Sequence, residues 1–240
     1  MSEISNWFQN IPFITRHWFG ITIGATLLGK IGIIPLKHVY LDYDLVFRSL
    51  QIWRPATSLF AYPLSPNTGF HFLMNLFFLY TYSMKLETGI FSTRPADYIF
   101  MLTFNWLACV LFGLFMSMPF LMDPMILSVL YVWCMLNQDQ IVSFWFGTQF
   151  RAMYLPWVLL AFRMILSGGG LSEIVGILVG HLYFFLAFKY PQDFGGASLL
   201  QTPQFLYNYF PGRAPGTGLF SRPPQERSGS WGRGNRLGGN

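Results

Sequence analysis

The sequence is poor in charged residues and in cysteine. Only 10% of its 240 residues are charged, whereas 53% are hydrophobic and 19% are aromatic. Soluble globular chains carry about 25% charged residues, so this composition excludes an ordinary soluble domain and predicts a membrane protein. The two cysteines, Cys109 and Cys134, lie inside apolar runs. They exclude a disulfide framework and a CxxC metal site, and we expect them to be buried thiols.

Positive charge is scarce outside the C-terminal end. The formal net charge is +5, but five of the fifteen Lys and Arg residues lie within the last thirty positions. The excess charge is therefore largely a property of the tail, and it does not indicate binding to nucleic acid. The chain opens without the basic segment of a secretory signal. Instead, Ile4, Trp7, Phe8 and Ile11 have the spacing of an apolar stripe on a short helix in the membrane interface.

Six apolar segments follow, and they predict an all-α membrane protein with six transmembrane helices. Their approximate limits are 14–34, 68–86, 97–117, 120–137, 153–167 and 172–189. Several are only about 15–18 residues long, which suits a membrane with a hydrocarbon core of about 27 Å. Six spans place both termini on one side, and the tail arginines favour the cytosolic side. We expect a transmembrane domain over 1–190 and a cytosolic, largely disordered tail over 191–240.

Two stretches outside the spans have unusual composition. The first loop, 35–66, is too long for a turn and rich in aromatic residues, so we expect it to pack at headgroup level on the lumenal side. After Lys189 the chain is rich in Gly, Pro, Ser and Arg, and from Pro211 onward it is predicted to be disordered. An interfacial turn is predicted just before, at Phe205, Leu206, Tyr207, Tyr209 and Phe210.

His71 and Asn75 form a polar pair inside the second span, because their i, i+4 spacing puts both on one helix face. The pair either directs hydrogen-bond donors at an oxyanion or joins neighbouring helices. Helix packing is favoured, because no serine lies in a G-x-S-x-G elbow; Ser128, in ILSVLYV, has no adjacent glycine. We expect His181 to be hydrogen-bonded within the bundle.

The sixth span carries a carboxylate close to a pair of glycines. Gly176 and Gly180 have the spacing that lets two membrane helices approach closely. Glu173, three residues earlier, is a proton-handling group, a helix cap, or a relic of lost chemistry; in a helix terminus, Ser172 would be the cap and Glu173 would lie in the first turn. These alternatives stay open on the residues alone.

Three further features lie outside these two groups of residues. Trp53 is expected to anchor at the interface, while Arg54 snorkels or pairs with a headgroup or a carboxylate. Asp97 falls in the first turn of the third span, where the helix dipole favours an acid. Near the C-terminus, WGRGNRLGG is either a solubilising tail or a short linear motif.

The chain resembles the Derlin family across nearly its whole length. The matching stretches are QIWRP, RPADYIFML, NWL, SVLYVW, IVSFWFGT, YLPWVLL, GHLYFFL and TPQFLY. The resemblance implies a rhomboid-like bundle of six transmembrane helices in the endoplasmic reticulum membrane, catalytically inactive although related to the rhomboid intramembrane proteases. It implies a role in ER-associated degradation, in which the protein engages misfolded proteins, thins the bilayer and helps the proteins reach the cytosol.

The resemblance also implies roles for single residues. His71 and Asn75 match the rhomboid H-x-x-x-N that helps form the oxyanion hole, whereas Glu173 stands where active rhomboids carry the catalytic histidine. Trp53 and Arg54 match a motif needed for Derlin function. An SHP box, which binds the valosin-containing AAA ATPase, is implied at Trp231, Gly232, Gly234 and Leu237.

Other implied partners are an ER ubiquitin-ligase complex, misfolded ER proteins, membrane lipids, and further Derlin chains in a homo- or hetero-oligomer. No cofactor and no metal are expected. Two other functions are weighed against this one. An active intramembrane serine protease needs a nucleophile and a base, and both motifs are missing. A channel or transporter needs polar residues along several spans or paired broken helices, and neither pattern is apparent.

Overall fold

The structure, a computed structural model, describes residues 3–144, 147–167, 169–193 and 199–210. These residues form eleven α-helices and one small antiparallel sheet. The helices are α1 Glu3–Gln9, α2 Phe13–Ile31, α3 Tyr43–Phe47, α4 Arg54–Phe60, α5 Gly69–Thr88, α6 Pro95–Phe115, α7 Met122–Leu136, α8 Leu155–Ser167, α9 Leu171–Phe184, α10 Tyr190–Asp193 and α11 Gln204–Tyr209. The strands are β1 Ile141–Ser143 and β2 Gln149–Arg151, with Val142 opposite Phe150. A π-helical segment, Phe185–Lys189, joins α9 to α10 without a break.

A helix occupies each of the six predicted apolar segments, and the bounds differ by only a few residues. Two helical runs, Pro95–Phe115 and Leu171–Asp193, are long and apolar enough to cross a membrane. Met122–Leu136 and Ala152–Ile165 are apolar but shorter. The short helix predicted near the N-terminus is present as α1, and the predicted turn near residue 205 is α11. Both cysteines are free and buried, as expected.

Helix α7 forms the centre of the bundle. Twelve of its fifteen residues are buried, and it packs against α4, α5, α6, α8 and α9. A helix that is apolar on every side can bury every side, so the sequence MDPMILSVLYVWCML suits this central place. The other long helices bury one face only, as shown by the exposed side chains of Phe77, Leu111 and Ile165.

Helix α9 approaches α7 most closely at its two glycines. A Cβ atom on Gly176 would lie 2.7 Å from the carbonyl oxygen of Pro124, and one on Gly180 would lie 2.8 Å from that of Ser128. Both neighbours are backbone atoms and cannot move aside without shifting α7. Glycine is therefore required at both positions, and the contact fixes where the first turn of α9 lies.

A buried polar network joins α2, α5 and α6 at one end of the bundle. Helix α2 follows Pro12 and has no side-chain cap of its own. Instead, Glu87 on α5 accepts the backbone N–H groups of Ile14 and Thr15, each at 2.8 Å. The hydroxyl of Thr15 donates to Glu87 at 2.7 Å and shares a hydrogen bond with Ser83, which in turn is bonded to Tyr98. We call Thr15, Ser83, Glu87 and Tyr98 the closed cluster.

The segment 199–210 folds back onto the start of α6. Asp97, in the first turn of α6, accepts hydrogen bonds from Thr202 Oγ1 at 2.6 Å and from Tyr207 Oη at 2.5 Å. Partial burial and the Asp97 carboxylate raise the pKa of the Tyr207 hydroxyl, so it remains a donor. The role of Asp97 is thus wider than the helix-dipole interaction that its position predicts.

Candidate functional site

A cavity lies between the N-terminal half of α5 and helices α7, α8 and α9. Its volume is about 460 Å³, within the range of about 300–1,000 Å³ that is usual for ligand sites. Most of its wall is apolar and includes Phe70, Met74, Phe78, Ile126, Leu130 and Phe162. The same wall carries a group of polar and charged side chains that contact one another. We call these the pocket cluster: His71, Asn75, Asp123, Arg163 and Glu173.

The sequence-predicted pair, His71 and Asn75, contributes one side of this cluster. Asn75 Nδ2 donates to Asp123 Oδ1 at 2.5 Å and lies 3.4 Å from His71 Nδ1. A second partner of His71 comes from the loop after α4, where Tyr62 Oη lies 2.5 Å from His71 Nδ1. Both residues therefore have partners inside the protein, on a helix face that borders the cavity.

Arg163 on α8 lies between two carboxylates. Its Nε is 3.2 Å from Glu173 Oε1, and its Nη2 is 3.9 Å from Asp123 Oδ2. Its side chain is 23% exposed, that of Asp123 16% and that of Glu173 9%, so water screens these charges weakly. A single guanidinium thus contacts two carboxylates, and His71 Nδ1 lies 4.0 Å from Asp123 Oδ1.

Glu173 is the residue whose role the sequence leaves most open. The structure places it in the first turn of α9, as expected, where it pairs with Arg163 across the cavity. The expected cap is wrong: the N-cap is Gly170, no side chain caps the helix, and Ser172 lies inside its first turn. The ion pair, together with the helix dipole, compensates the buried carboxylate.

Ser128, on α7, turns its hydroxyl back onto its own helix. Its side chain is fully buried, and its hydroxyl donates to the carbonyl oxygen of Met125 at 2.7 Å. The backbone carbonyl oxygen of Ser128 is covered in turn by the backbone of Gly180. A hydroxyl held in this way has no base beside it and no room for an acyl group.

Trp53 and Arg54 have different surroundings although they are adjacent. The Trp53 side chain is 52% exposed, whereas Arg54 is 2% exposed. The guanidinium donates to the carbonyl oxygens of Tyr40 at 2.8 Å and Lys37 at 3.1 Å, and to Gln51 Oε1 at 2.7 Å. The interpretation of Arg54 as a snorkelling side chain is therefore wrong, because it satisfies backbone carbonyls inside the loop instead of reaching headgroups.

Three residues of the pocket have the types and the spacing of metal ligands. Ligand atoms of His71, Asp123 and Glu173 lie within 4.8 Å of one another. The Arg163 guanidinium already stands between the two carboxylates, however, and the imidazole Nδ1 is engaged by Tyr62. The donor set thus favours an ion pair over a bound metal ion in this arrangement.

Sequence reasoning missed Asp123, Arg163 and Tyr62 as site residues. Asp123 and Arg163 each lie within an apolar segment, and an ionisable residue in a membrane span is a functional candidate with a partner by default. Applied to the sequence, this rule identifies both Asp123 and Arg163 as candidate site residues. Tyr62 lies in a loop with many aromatic residues and carries no comparable signal.

Two other predicted positions remain. His181 is hydrogen-bonded to Tyr131 Oη at 2.8 Å, as expected, but the residue is exposed and does not lie in the interior of the bundle. The proposed ATPase-binding residues Trp231, Gly232, Gly234 and Leu237 lie outside the described residues.

Comparison with known proteins gives one consistent result. The Der1-like family matches residues 11–204. Derlin-1 of Homo sapiens is 52% identical over 249 residues, which cover 99% of each chain. Derlin-1 of Caenorhabditis elegans is 47% identical over 245 residues, covering 99% of this chain and 100% of the relative. Derlin-1 of Drosophila melanogaster is 46% identical over 241 residues, covering 98% of both.

Proposed function

Because the chain belongs to the Der1-like family, we propose that it is a non-enzymatic membrane component of ER-associated degradation. In this role it binds misfolded proteins in or at the endoplasmic reticulum membrane and helps them pass to the cytosol. Six helices, α2 and α5 to α9, cross the membrane, both termini face the cytosol, and the first loop is lumenal. The relatives that cover nearly its whole length carry the name Derlin-1, which supports this role.

One observation carries the non-enzymatic part of the proposal. The wall of the cavity offers an ion pair, in which Arg163 contacts Glu173 and Asp123, where a protease needs a serine and a basic histidine. Ser128 is buried and donates to a backbone carbonyl. Such a pocket suits binding, because its polar groups are fixed and its remaining wall is apolar.

The experiment uses cells that lack the chain and a misfolded ER protein with a measurable half-life. Restoring the wild-type chain should restore fast degradation, and so should Ser128→Ala, because the buried hydroxyl has no part in the reaction. The purified chain in bilayers should not cleave a promiscuous rhomboid substrate. Rescue by wild type but not by Ser128→Ala, accompanied by cleavage in bilayers, would overturn the proposal in favour of a protease.

The tail supplies the cytosolic half of the proposal. Residues Trp231, Gly232, Gly234 and Leu237 would bind the N-terminal domain of the valosin-containing AAA ATPase, with the aromatic and the leucine side chains as anchors. We expect micromolar affinity, about −8 kcal/mol, for a peptide of residues 225–240. Trp231→Ala should remove most of it and Ser228→Ala very little, as measured by titration calorimetry. Equal affinity of all three peptides would leave the tail without this role.

Short helices support a further part of the role, the thinning of the bilayer. Helix α8 has 13 residues and therefore spans about 20 Å at 1.5 Å per residue, less than the core of about 27 Å in an ER bilayer. This mismatch in length has two remedies: the bilayer becomes thinner around the helix, or polar groups stabilise the ends of the helix within the hydrocarbon core. Thickness measurements on the reconstituted protein by electron microscopy test this directly.

A further inference from the structure

A second cavity lies beside the C-terminal half of α5, whereas the cavity of the pocket cluster lies beside its N-terminal half. Its volume is about 410 Å³, and it is bounded by α5, the end of α7, strand β1 and the start of α8. Apolar side chains such as Phe77 and Ile141 share its wall with the hydroxyl groups of Thr81 and Ser143. Lys85 carries the single charge on this wall among the residues that the structure describes. We call this the lysine cavity.

The Lys85 ammonium is positioned by aromatic rings and has no anion beside it. Its Nζ lies 4.5 Å from the centre of the Trp133 ring and 5.1 Å from that of Tyr82. Aromatic faces attract a cation, but they leave the three N–H donors of an ammonium without a strong acceptor. Within the described part of the chain no carboxylate pairs with Lys85, because Glu87, the nearest acid in the sequence, is bonded to the start of α2. The ammonium is therefore available to an anion that enters the cavity.

We infer that the lysine cavity binds an anionic phospholipid, with the charged headgroup at Lys85 and the first part of an acyl chain against Phe77 and Ile141. An ammonium forms strong, charge-assisted hydrogen bonds with phosphate oxygens. The hydroxyl groups of Thr81 and Ser143 add neutral donors for the same headgroup. The inference rests on the proposed function only for the side of the membrane, since the proposed topology makes this the cytosolic end of α5.

The course of the cavity along α5 suits a lipid that stands in a bilayer. Lys85 lies in the last turn of α5, so its ammonium reaches headgroup depth when this helix crosses the membrane. Phe77 lies two turns earlier, which is about 12 Å deeper at 1.5 Å per residue. Its side chain is 58% exposed, as expected for a residue that contacts acyl chains. Charge at the surface and apolar contact below it follow the order of the parts of a phospholipid.

Other ligands fit the lysine cavity less well. Free inorganic phosphate would contact Lys85 but would leave the apolar part of the wall uncovered. Phosphatidylcholine would fill the wall, but its trimethylammonium group would add a second cation close to Lys85. Phosphatidylinositol has a phosphate of the same kind and a sugar without charge, so its headgroup keeps a net negative charge. It is therefore the probe that the cavity should prefer.

The test uses the full-length chain, purified in mild detergent, with phosphatidylinositol or phosphatidylcholine of identical acyl chains. Native mass spectrometry counts the lipids bound to each protein and gives the affinity for the first of them. Detergent micelles present no anionic membrane surface, so the general attraction of the basic tail to such a surface is removed. We expect phosphatidylinositol to bind about fivefold more tightly than phosphatidylcholine, which is the usual effect of one lysine at an anionic headgroup.

Substitutions of Lys85 show whether its charge is responsible. Lys85→Gln should reduce the preference for phosphatidylinositol to below about twofold, whereas Lys85→Arg should retain it. The matched control is Lys189→Gln. It removes the same charge, but from an ammonium that already lies 3.3 Å from the carboxylate of Asp193, and it should leave the preference unchanged.

A second variant tests the cavity without altering Lys85. Ser143→Glu places a carboxylate at an exposed position of β1 that lines the cavity. It should also remove the preference, because the carboxylate either repels the headgroup or pairs with the ammonium. Ser143→Gln has the same size without the charge and should behave as the wild type. Thermal unfolding identifies a variant that fails to fold, and the substitution at the other position then carries the test.

Three outcomes overturn the inference. Equal affinity of the wild type for the two lipids does so, and so does a preference that survives both Lys85→Gln and Ser143→Glu. Complete displacement of phosphatidylinositol by water-soluble glycerophosphoinositol would show that the cavity takes a soluble anion instead of a lipid. None of these results bears on the proposed function, which fails only if client degradation does not depend on the chain.

Discussion

The closed cluster and the pocket cluster are both networks of polar side chains inside the bundle, but they differ in composition and in what surrounds them. In the closed cluster every hydroxyl and the carboxylate of Glu87 bond to one another or to the start of α2. In the pocket cluster, one guanidinium is shared by two carboxylates, at 3.2 Å and 3.9 Å, on the wall of a cavity of about 460 Å³. A polar network that is complete stabilises the fold, whereas an incomplete one beside a cavity is available for a ligand. The following variants test this distinction.

The largest expected effect comes from the contact that positions one side of the pocket. Gly180→Val places side-chain atoms against the carbonyl oxygen of Ser128 and against Tyr131, both 2.8 Å from an added Cβ. We expect a loss of about 3 kcal/mol or more, because α9 must move away from α7. Thermal unfolding in mild detergent measures this. Gly24→Val is the matched control, since nothing lies within 4 Å of a Cβ at Gly24; equal stability of both variants contradicts the prediction.

Breaking the closed cluster should cost somewhat less. Glu87→Ala removes the acceptor of two backbone N–H groups at the start of α2 and of the Thr15 hydroxyl. We expect the free energy of unfolding to fall by about 2–3 kcal/mol, combining a lost helix cap with bonds to a charged group. Glu3→Ala, at an exposed position of α1, is the control and should change it by less than about 0.5 kcal/mol. If both variants unfold alike, the network does not stabilise the fold.

Arg54 belongs with the closed type, although the sequence suggests a surface role. Arg54→Ala should destabilise by about 2 kcal/mol, because the carbonyl oxygens of Tyr40 and Lys37 lose their donor in a buried place. Trp53→Ala should cost less than about 1 kcal/mol, since half of its side chain is exposed. Separate measurements of membrane abundance and client half-life distinguish the two. A functional defect at normal abundance in Arg54→Ala alone would place Arg54 in the binding machinery instead.

The smallest effect on stability, within about 1 kcal/mol, is expected in the pocket cluster. Asp123→Asn keeps an acceptor for Asn75 and leaves Arg163 paired with Glu173. The contact that it weakens, between Arg163 and Asp123, is long at 3.9 Å, and an uncharged amide is cheaper to bury than a carboxylate, so the loss should be small. Client degradation should nevertheless slow several-fold, as measured by pulse-chase. A large loss of stability here would erase the distinction between the two clusters.

The sequence reveals the helices better than it reveals the chemistry. Apolar length alone places α2 and α5 to α9, and a glycine spacing locates the contact of α9 with α7, because both patterns are local in the chain. The pocket depends on residues far apart in the chain, such as Asn75 with Asp123, 48 positions later, which no local pattern connects. The environment of Arg54 could not be predicted from the sequence either. Arg54 is buried and its neighbour Trp53 is exposed, and only the folded conformation of the loop makes this difference.

The attachment of segment 199–210 to α6 has a consequence for how the protein is made. Asp97 receives its hydroxyl donors from Thr202 and Tyr207, which lie 105 and 110 positions later in the chain. A ribosome adds about 5–20 residues per second, so these donors are synthesised roughly 5–20 s after the carboxylate that needs them. During that interval the start of α6 relies on solvent or on other proteins, and completion of the bundle waits for nearly the last residues that the structure describes.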